Sequence, residues 1–218
     1  MEPLVTVLMC TRDRRPRVIE ALACYKAQDY ANLELVVVDD GADRVDDLLE
    51  NIPNATYLYY PAPNLSAKRN AGITLAAHGA FVCHFDDDDW SAPDRISHQV
   101  ALLLANPKLQ VVGYDTCYWW DEVRNCASQY RGSIWGATLC YRKSYAEANP
   151  WDESRALAED GPFISLARTE GLTLGLDAAH RMVAVMHDGN ARRGYDPHFW
   201  PIIPTADLPQ GFRAGRNL

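Results

Sequence analysis

Residues 85–90 read FDDDDW, so four carboxylates stand in a row between two aromatic side chains. A run of like charge is often only solvated surface, but this one directly follows an apolar run that predicts a buried strand. Alternate residues of an extended chain point the same way, so we expect Asp86 and Asp88 to share one face. Crowded carboxylates repel one another unless a cation compensates, and Mg²⁺ or Mn²⁺ binds such groups together with diphosphate oxygens. The run therefore favours a metal–diphosphate site.

Two further charged motifs precede the acidic run. VVVDDG ends a predicted strand on Asp39, which is placed to accept hydrogen bonds from a base N–H or a ribose hydroxyl; the plain alternative is a strand that ends in a turn. NLSAKRNAG puts Lys68 and Arg69 at the start of a predicted helix. Cations there oppose the helix dipole, so either they are simply solvated or a nearby anion compensates. A diphosphate would be such an anion.

Two motifs in the second half of the chain add acid–base groups. ALAEDGPF places Glu159 and Asp160 before an apolar helical segment, where acids commonly stabilise a helix start. In a cleft, such a carboxylate can instead act as a general base on a hydroxyl. VMHDGN puts His187 just past a predicted strand, where a lone histidine is either structural or a metal ligand.

The elements that must position these residues alternate between strand and helix. The first half of the sequence predicts strands over 4–10, 33–40, 56–60 and 80–85. It predicts helices over 15–27, 44–50, 64–79 and from Pro93 to 105. The third helix is predicted to have Ser66 as its N-cap and to stop at Gly79. This order implies right-handed crossovers and an α/β fold with a mostly parallel sheet flanked by helices. Ligands of such sheets bind at the carboxyl ends of the strands, where Thr11, Asp39 and Asp86 all lie.

The second half of the chain is less regular. It predicts strands over 111–120, 133–141, 172–177 and 182–188, a polar turn or hairpin over 121–132, and a helix over 159–171. Beyond residue 190 the sequence has Gly, Pro and Arg with little periodicity, which predicts a tail on the surface. We therefore expect one domain over residues 1–190 and a C-terminal tail over 191–218.

The composition excludes several classes of protein. The 218 residues carry a net charge of -8, which argues against a nucleic-acid-binding protein. No apolar run approaches the roughly 18 residues that a transmembrane segment needs. The N-terminal sequence lacks the basic segment of a signal peptide, and the six cysteines form no CxxC pair. These features predict a cytoplasmic protein with reduced thiols and no transmembrane segment.

Taken in order, the motifs resemble those of the inverting family 2 glycosyltransferases, which have the Rossmann-like GT-A fold. The matching stretches are residues 5–14, 33–41, 64–90, 158–163 and, more weakly, 186–190. The resemblance implies a nucleotide-diphosphosugar donor, most commonly UDP-linked with GDP and TDP also open, and a divalent cation, Mn²⁺ or Mg²⁺. It also divides the domain into a nucleotide-sugar-binding half (1–107) and an acceptor-binding half (108–190).

The resemblance also assigns roles to individual residues. It places Thr11, Arg12 and Asp39 around the nucleoside, Lys68 and Arg69 near the base or diphosphate, and Asp87 among the donor-binding residues. The implied metal ligands are Asp86 and Asp88, which form the DXD motif, and His187. The implied catalytic base is Asp160, with Glu159 beside it. Asp88 is the expected direct metal contact. The register of the ligands within residues 86–89 stays open by one position.

The expected reaction is a single displacement with inversion, in which the base deprotonates an acceptor hydroxyl. The acceptor is a glycan or another hydroxyl compound, as in polysaccharide biosynthesis; a lipid-linked acceptor would bring the protein to the inner face of the membrane. Aromatic faces suit sugar rings, and we nominate Trp135 for the acceptor, although core packing explains a tryptophan as often.

Three other functions fit parts of this pattern less well. A sugar-phosphate nucleotidyltransferase needs a glycine-rich loop after the first strand, and residues 10–17 contain no glycine. A phosphatase with a DxD nucleophile needs that motif at the end of strand one, which has no aspartate there. A non-catalytic nucleotide- or glycan-binding module of the same fold is disfavoured because the acidic run and Asp160 are both present.

Overall fold

A computed structural model describes residues 1–178, 180–189, 200–216 and 218. Four parallel strands form the first half of the sheet in the order β3-β2-β1-β4. These strands are β1 (Val5–Thr11), β2 (Leu33–Asp39), β3 (Ala55–Tyr59) and β4 (Phe81–His84). Strands β1, β2 and β4 are buried along almost their whole length, as their continuous apolar sequences predict. All four predicted strands of this half are confirmed.

Helices connect these strands and cover both faces of the sheet. They are α1 (Arg15–Lys26), α2 (Leu65–Leu75) and α3 (Arg95–Ala105), with a 3-10 turn at Asp46–Leu49. The N-cap of α2 is Asn64, whose side chain accepts a hydrogen bond from the backbone N–H of Ala67 at 3.0 Å. The prediction of Ser66 as the cap is therefore wrong, because the helix begins one residue before it.

The second half of the sheet is mixed. Its strands are β5 (Trp90–Ser91), β6 (Val111–Asp121), β7 (Cys126–Arg131), β8 (Cys140–Arg142), β9 (Thr173–Asp177) and β10 (Met182–Met186). Strand β8 joins the two halves, because it lies antiparallel between β4 and β6. Helices α4 (Lys143–Ala148) and α5 (Asp160–Thr169) lie in this half.

One predicted strand of this half is wrong in part. The stretch 133–141 forms a 3-10 turn at Gly136–Thr138, and only its end belongs to β8. Residues 126–131 form a strand where a polar turn or hairpin was predicted, because they pair with the long strand β6. Pairing partners that are distant in sequence override the weak local pattern here.

The described part of the predicted tail adds regular structure. Strand β11 (Ile202–Ile203) extends the sheet by pairing antiparallel with β7. Helix α6 (Gln210–Arg216) buries Phe212, whose ring meets Trp90 and Trp120 edge-on at centroid distances of 6.1 and 6.4 Å. The described residues thus form one sheet of eleven strands. None of the helices in this part of the chain combines the length and apolar character that a membrane crossing requires.

Candidate active site

A cleft of about 1060 Å³ opens where the carboxyl ends of β1, β4 and β10 meet the starts of α2 and α5. The sequence-predicted residues that line it are Thr11, Arg12, Lys68, Arg69, Asp86, Asp87, Asp88, Glu159 and Asp160. Motifs up to 149 residues apart in sequence therefore reach one cavity, as expected for the carboxyl edge of a parallel sheet.

Asp39 does not line this cleft in the described part of the chain. Its carboxylate is fully buried and accepts hydrogen bonds from the backbone N–H of Gly41 and the hydroxyl of Tyr57, both at 2.8 Å. These bonds fix the turn after β2 and tie it to the neighbouring strand. A nucleoside contact by Asp39 stays a prediction.

Three carboxylates of the acidic run converge. Ligand oxygens of Asp86, Asp88 and Asp89 all lie within 4.8 Å of one another, whereas Asp87 bonds elsewhere. Residues 87–88 form a turn rather than an extended strand, so Asp89 comes round to join the pair that alternation predicts. His187 lies beside this group, with its Nε2 at 3.1 Å from Asp88 Oδ2. Its role as a metal ligand stays a prediction.

The chemistry of this group fits a hard divalent cation, because carboxylate oxygens at this spacing are the ligands that Mg²⁺ and Mn²⁺ prefer. Burial raises the pKa of Asp86 to about 6; the positive charge of Arg69 opposes this shift, and the charges of Asp88 and Asp87 add to it. Burial and the charges of Asp88 and Asp86 raise the pKa of Asp89 well above its ordinary value. The site thus concentrates negative charge that a cation would relieve.

Arg14 is a site residue that the sequence analysis missed. Its Nη1 donates to both Asp87 Oδ1 and Asp88 Oδ2 at 2.9 Å, and its Nη2 donates to the backbone carbonyl of Gly189 at 2.5 Å. Asp87 also accepts a bond from the Thr11 hydroxyl at 2.7 Å. The sequence TRDRRPR offers four arginines with no signal that separates them, and the nominated Arg12 is 68% exposed and 3.8 Å from its carboxylate partner.

The two cations at the start of α2 are paired with the protein's own carboxylates. Lys68 Nζ donates to Asp40 Oδ1 at 2.7 Å and to the backbone carbonyl of Thr11 at 3.1 Å. Arg69 is 3% exposed, donates to Glu159 Oε1 at 2.7 Å and lies 4.4 Å above the Trp151 ring. These carboxylates supply the negative charge that the two cations at the helix start require. Both cations still line the cleft.

The adjacent acids Glu159 and Asp160 have different partners. Glu159 is committed to its ion pair with Arg69. Asp160 is the first residue of α5, and its Oδ2 accepts a hydrogen bond from the backbone N–H of Gly136 at 2.8 Å. Its Oδ1 has no hydrogen-bond partner among the described residues. Each acid thus has one oxygen without a hydrogen-bond partner among the described residues, but only Glu159 is ion-paired there, so Asp160 is the carboxylate whose charge no cation compensates by an ion pair.

Three tryptophans near the cleft fall into two groups. Trp119 and Trp135 line the cleft and pack at a centroid distance of 5.4 Å. Trp151 is 2% exposed and stacks on Phe163 at 4.2 Å, so it belongs to the core. An acceptor contact by Trp135 stays a prediction.

The chain matches the model of glycosyl transferase family 2 over residues 6–135, more than half of its length. A protein of Escherichia coli K12 that is provisionally named colanic acid biosynthesis glycosyl transferase WcaA is 34% identical over 101 residues, which is 44% of this chain and 36% of that protein. The amylovoran biosynthesis glycosyltransferase AmsB of Erwinia amylovora is 30% identical over 94 residues, 39% of this chain and 31% of its own. The chain thus spans about a third of the length of each of these two relatives.

Two solved structures share the architecture. TarS residues 1–349 from S. aureus, in complex with UDP-GlcNAc, match with a TM-score of 0.69 at 19% identity, covering 89% of this chain and 62% of that one. The mannosyltransferase PcManGT from Pyrobaculum calidifontis, in complex with GDP-Man and Mn²⁺, matches with a TM-score of 0.66 at 19% identity, covering 89% and 59%. These matches confirm the predicted GT-A fold. The family match over more than half of the chain establishes that it belongs to glycosyl transferase family 2.

Proposed function

We propose that this protein transfers a sugar from a nucleotide-diphosphosugar donor to an acceptor hydroxyl and inverts the configuration at the anomeric carbon. The observation that carries the proposal is that one cleft holds both a convergent group of carboxylates and a separate carboxylate, Asp160, with an uncommitted oxygen. The first suits a cation–diphosphate complex, and the second suits a general base.

The donor-binding part of the proposal rests on the acidic group and the cations around it. Asp86, Asp88 and Asp89 would hold a divalent cation, Mn²⁺ or Mg²⁺, which when bound neutralises charge on the leaving diphosphate. Lys68 and Arg69 line the same cleft and place positive charge near the anion. Thr11 and Arg12, at the end of β1, are proposed to contact the nucleoside.

The catalytic step is assigned to Asp160. Its Oδ1 would accept the proton of the acceptor hydroxyl while that oxygen attacks the anomeric carbon from the face opposite the diphosphate. The carbon–oxygen bond to the diphosphate breaks, and the electron pair leaves with the nucleoside diphosphate. Because the bond forms on one face as the other bond breaks, the sugar is transferred with inversion.

The relatives suggest the class of substrates. TarS and PcManGT are in complex with UDP-GlcNAc and GDP-Man, so both uridine and guanosine donors are candidates, with UDP preferred here. The names of WcaA and AmsB refer to colanic acid and amylovoran biosynthesis, which supports a glycan acceptor. On the sequence features alone we place the enzyme in the cytoplasm, at the inner membrane face if its acceptor is lipid-linked.

A thermal-shift panel of UDP, GDP, TDP and CDP, each with Mn²⁺ and with chelator, tests donor binding. Ligand binding to the folded state raises Tm by mass action, so we expect one diphosphate to raise Tm and chelation to abolish the shift. The absence of any shift would overturn the donor and cation assignments.

Asp160→Asn should keep this shift but lose nucleoside diphosphate release from the matching sugar nucleotide, and wild-type turnover in that variant would overturn the role of Asp160.

A further inference from the structure

The 3-10 turn at Gly136–Thr138 is held from below by three buried side chains. Each of its three consecutive backbone carbonyls accepts a hydrogen bond from a side chain that is at most 1% exposed. The pairs are His84 Nδ1 with Gly136 O at 2.9 Å, Arg95 Nη2 with Ala137 O at 2.7 Å, and Gln99 Nε2 with Thr138 O at 2.7 Å. These donors come from the end of β4 and from α3, so residues far apart in sequence fix one short turn.

The histidine in this set acts as a neutral donor. Burial, together with the charge of Arg69, lowers the pKa of His84 well below its ordinary value. A carbonyl oxygen can only accept, so Nδ1 carries the proton toward Gly136, and Nε2 accepts from the Tyr141 hydroxyl at 2.8 Å. Both ring nitrogens are therefore committed, and the tautomer is fixed.

The Gly136–Thr138 turn also contacts the proposed base. The backbone N–H of Gly136 donates to Asp160 Oδ2 at 2.8 Å. A Cβ atom on Gly136 would lie 3.0 Å from Arg69 Nη2, which is a tight contact, and 3.4 Å from the Cβ of Asp160, so the backbone of the turn lies close to both side chains. A shift of this turn would move Asp160 Oδ2 and, with it, the free Oδ1.

The same arginine connects the turn to the acidic run. Arg95 is fully buried, and it donates to the backbone carbonyl of His84 at 2.7 Å and to the Ser91 hydroxyl at 2.8 Å. These two residues flank the run of aspartates at positions 86–89 on either side. One guanidinium thus fixes both ends of the proposed cation site and the turn that contacts the proposed base.

We propose that His84, Arg95 and Gln99 are positioning residues, which act through the Gly136–Thr138 turn to set the place of Asp160 relative to the acidic group. This inference rests on the proposed function of Asp160 as the base. The spacing between the base and the donor matters, because a misplacement of 1 Å can lower the rate about 100-fold. Hydrogen bonds from buried side chains to backbone carbonyls are well suited to fix this spacing, because breaking one would leave a buried donor or a buried carbonyl without a partner, which is costly.

The test compares His84→Asn with His84→Gln. The amide nitrogen of Asn reaches the position of Nδ1 and keeps the donor to Gly136 O, whereas that of Gln reaches the position of Nε2 and does not. Both changes remove the same ring from its contact with Trp151, and only His84→Asn also gives up the bond to Tyr141, so a purely structural role of the ring does not make His84→Gln the more damaging change. The first readout is solvent exchange of the Gly136 amide in protein labelled with ¹⁵N-glycine, with Asp160→Ala as the reference for a lost bond.

We expect His84→Gln to speed Gly136 exchange about tenfold, as the loss of one hydrogen bond predicts, and His84→Asn to stay within about twofold of the wild type. The second readout is the release of nucleoside diphosphate from the donor that the thermal-shift panel identifies, with water as the acceptor. In His84→Gln the kcat of this reaction should fall about tenfold, with an unchanged KM for the donor. Equal behaviour of the two variants, or unchanged exchange in His84→Gln, would overturn the proposal.

A second variant covers the case in which His84→Gln does not fold. Gln99→Leu has a similar size and removes the donor to Thr138 O, and unchanged Gly136 exchange in it would likewise overturn the proposal. The failure of the proposed function has a different signature. If Asp160→Asn retains turnover while Gly136 exchange still depends on residue 84 as expected, the positioning network stands and the identity of the base is wrong.

Discussion

Arg14 lies against two carboxylates of the acidic run, and its removal should lower stability less when metal is bound than when metal is absent. Its Nη1 lies 2.9 Å from both Asp87 and Asp88, and its side chain is 29% exposed. A pair of unit charges at 4 Å interacts by about 4 kcal/mol at an effective dielectric constant of 20. Partial exposure and desolvation of the guanidinium reduce this, so we expect Arg14→Ala to cost about 2 kcal/mol, or about 4–8 °C in Tm for a chain of this size.

Metal should reverse part of this loss. Removing Arg14 removes a positive charge beside the acidic group and one hydrogen bond to Asp88 Oδ2, an oxygen that His187 also contacts, so Mn²⁺ affinity should rise about tenfold, equivalent to about 1.4 kcal/mol. At saturating Mn²⁺ the rise in Tm should therefore be about 3–6 °C larger in Arg14→Ala than in the wild type. Scanning calorimetry with Mn²⁺ and with chelator measures both effects. Arg12→Ala is the matched control, because Arg12 lines the same cleft but is 68% exposed. This substitution should change neither the Tm measured with Mn²⁺ nor the Tm measured with chelator. Equal Mn²⁺ shifts in Arg14→Ala and the wild type would refute this reasoning.

Two further predictions concern the acidic group and the C-terminal helix. Mn²⁺ affinity should fall as pH drops through about 6, because burial raises the pKa of Asp86 to about 6 and a proton then competes with the cation; titration calorimetry that shows constant affinity between pH 7 and pH 5 would contradict this. Phe212→Ala should lower stability by about 3–5 kcal/mol, since the ring is fully buried against Trp90 and Trp120; a chemical denaturation curve like that of the wild type would instead support a domain that ends at residue 190.

The first half of the fold could be predicted from local patterns because its strands are buried on both faces. Runs such as VTVLMCT and LELVVVD have no polar face, so their sequences identify them without knowledge of their neighbours. The order of elements then implies parallel pairing and places the strand ends at one edge. This is why residues as distant as Thr11 and Asp88 could be assigned to one edge of the sheet.

The rest could not be predicted because it depends on partners that are distant in sequence. Strand β7 has a weak pattern of its own and exists because it pairs with β6 and β11. Asp89 joins the acidic group only because residues 87–88 turn, and Arg14 differs from its neighbouring arginines only in what it reaches. Helix α6 is held by the burial of one side chain, Phe212, in a sequence with little periodicity.

The adjacent residues Glu159 and Asp160 show why this distinction matters for chemistry. Both are acids at the start of one helix, and from the sequence either could be the base. Arg69 binds one oxygen of Glu159 as an ion pair, whereas the hydrogen-bond partner of Asp160 among the described residues is the uncharged backbone N–H of Gly136. The residue types that reach the cleft are thus set by local sequence, but which of the two carboxylates lacks an ion-pair partner is set by contacts from two other elements. A catalytic assignment in this protein therefore depends on the hydrogen-bond partners of each carboxylate as much as on its place in a motif.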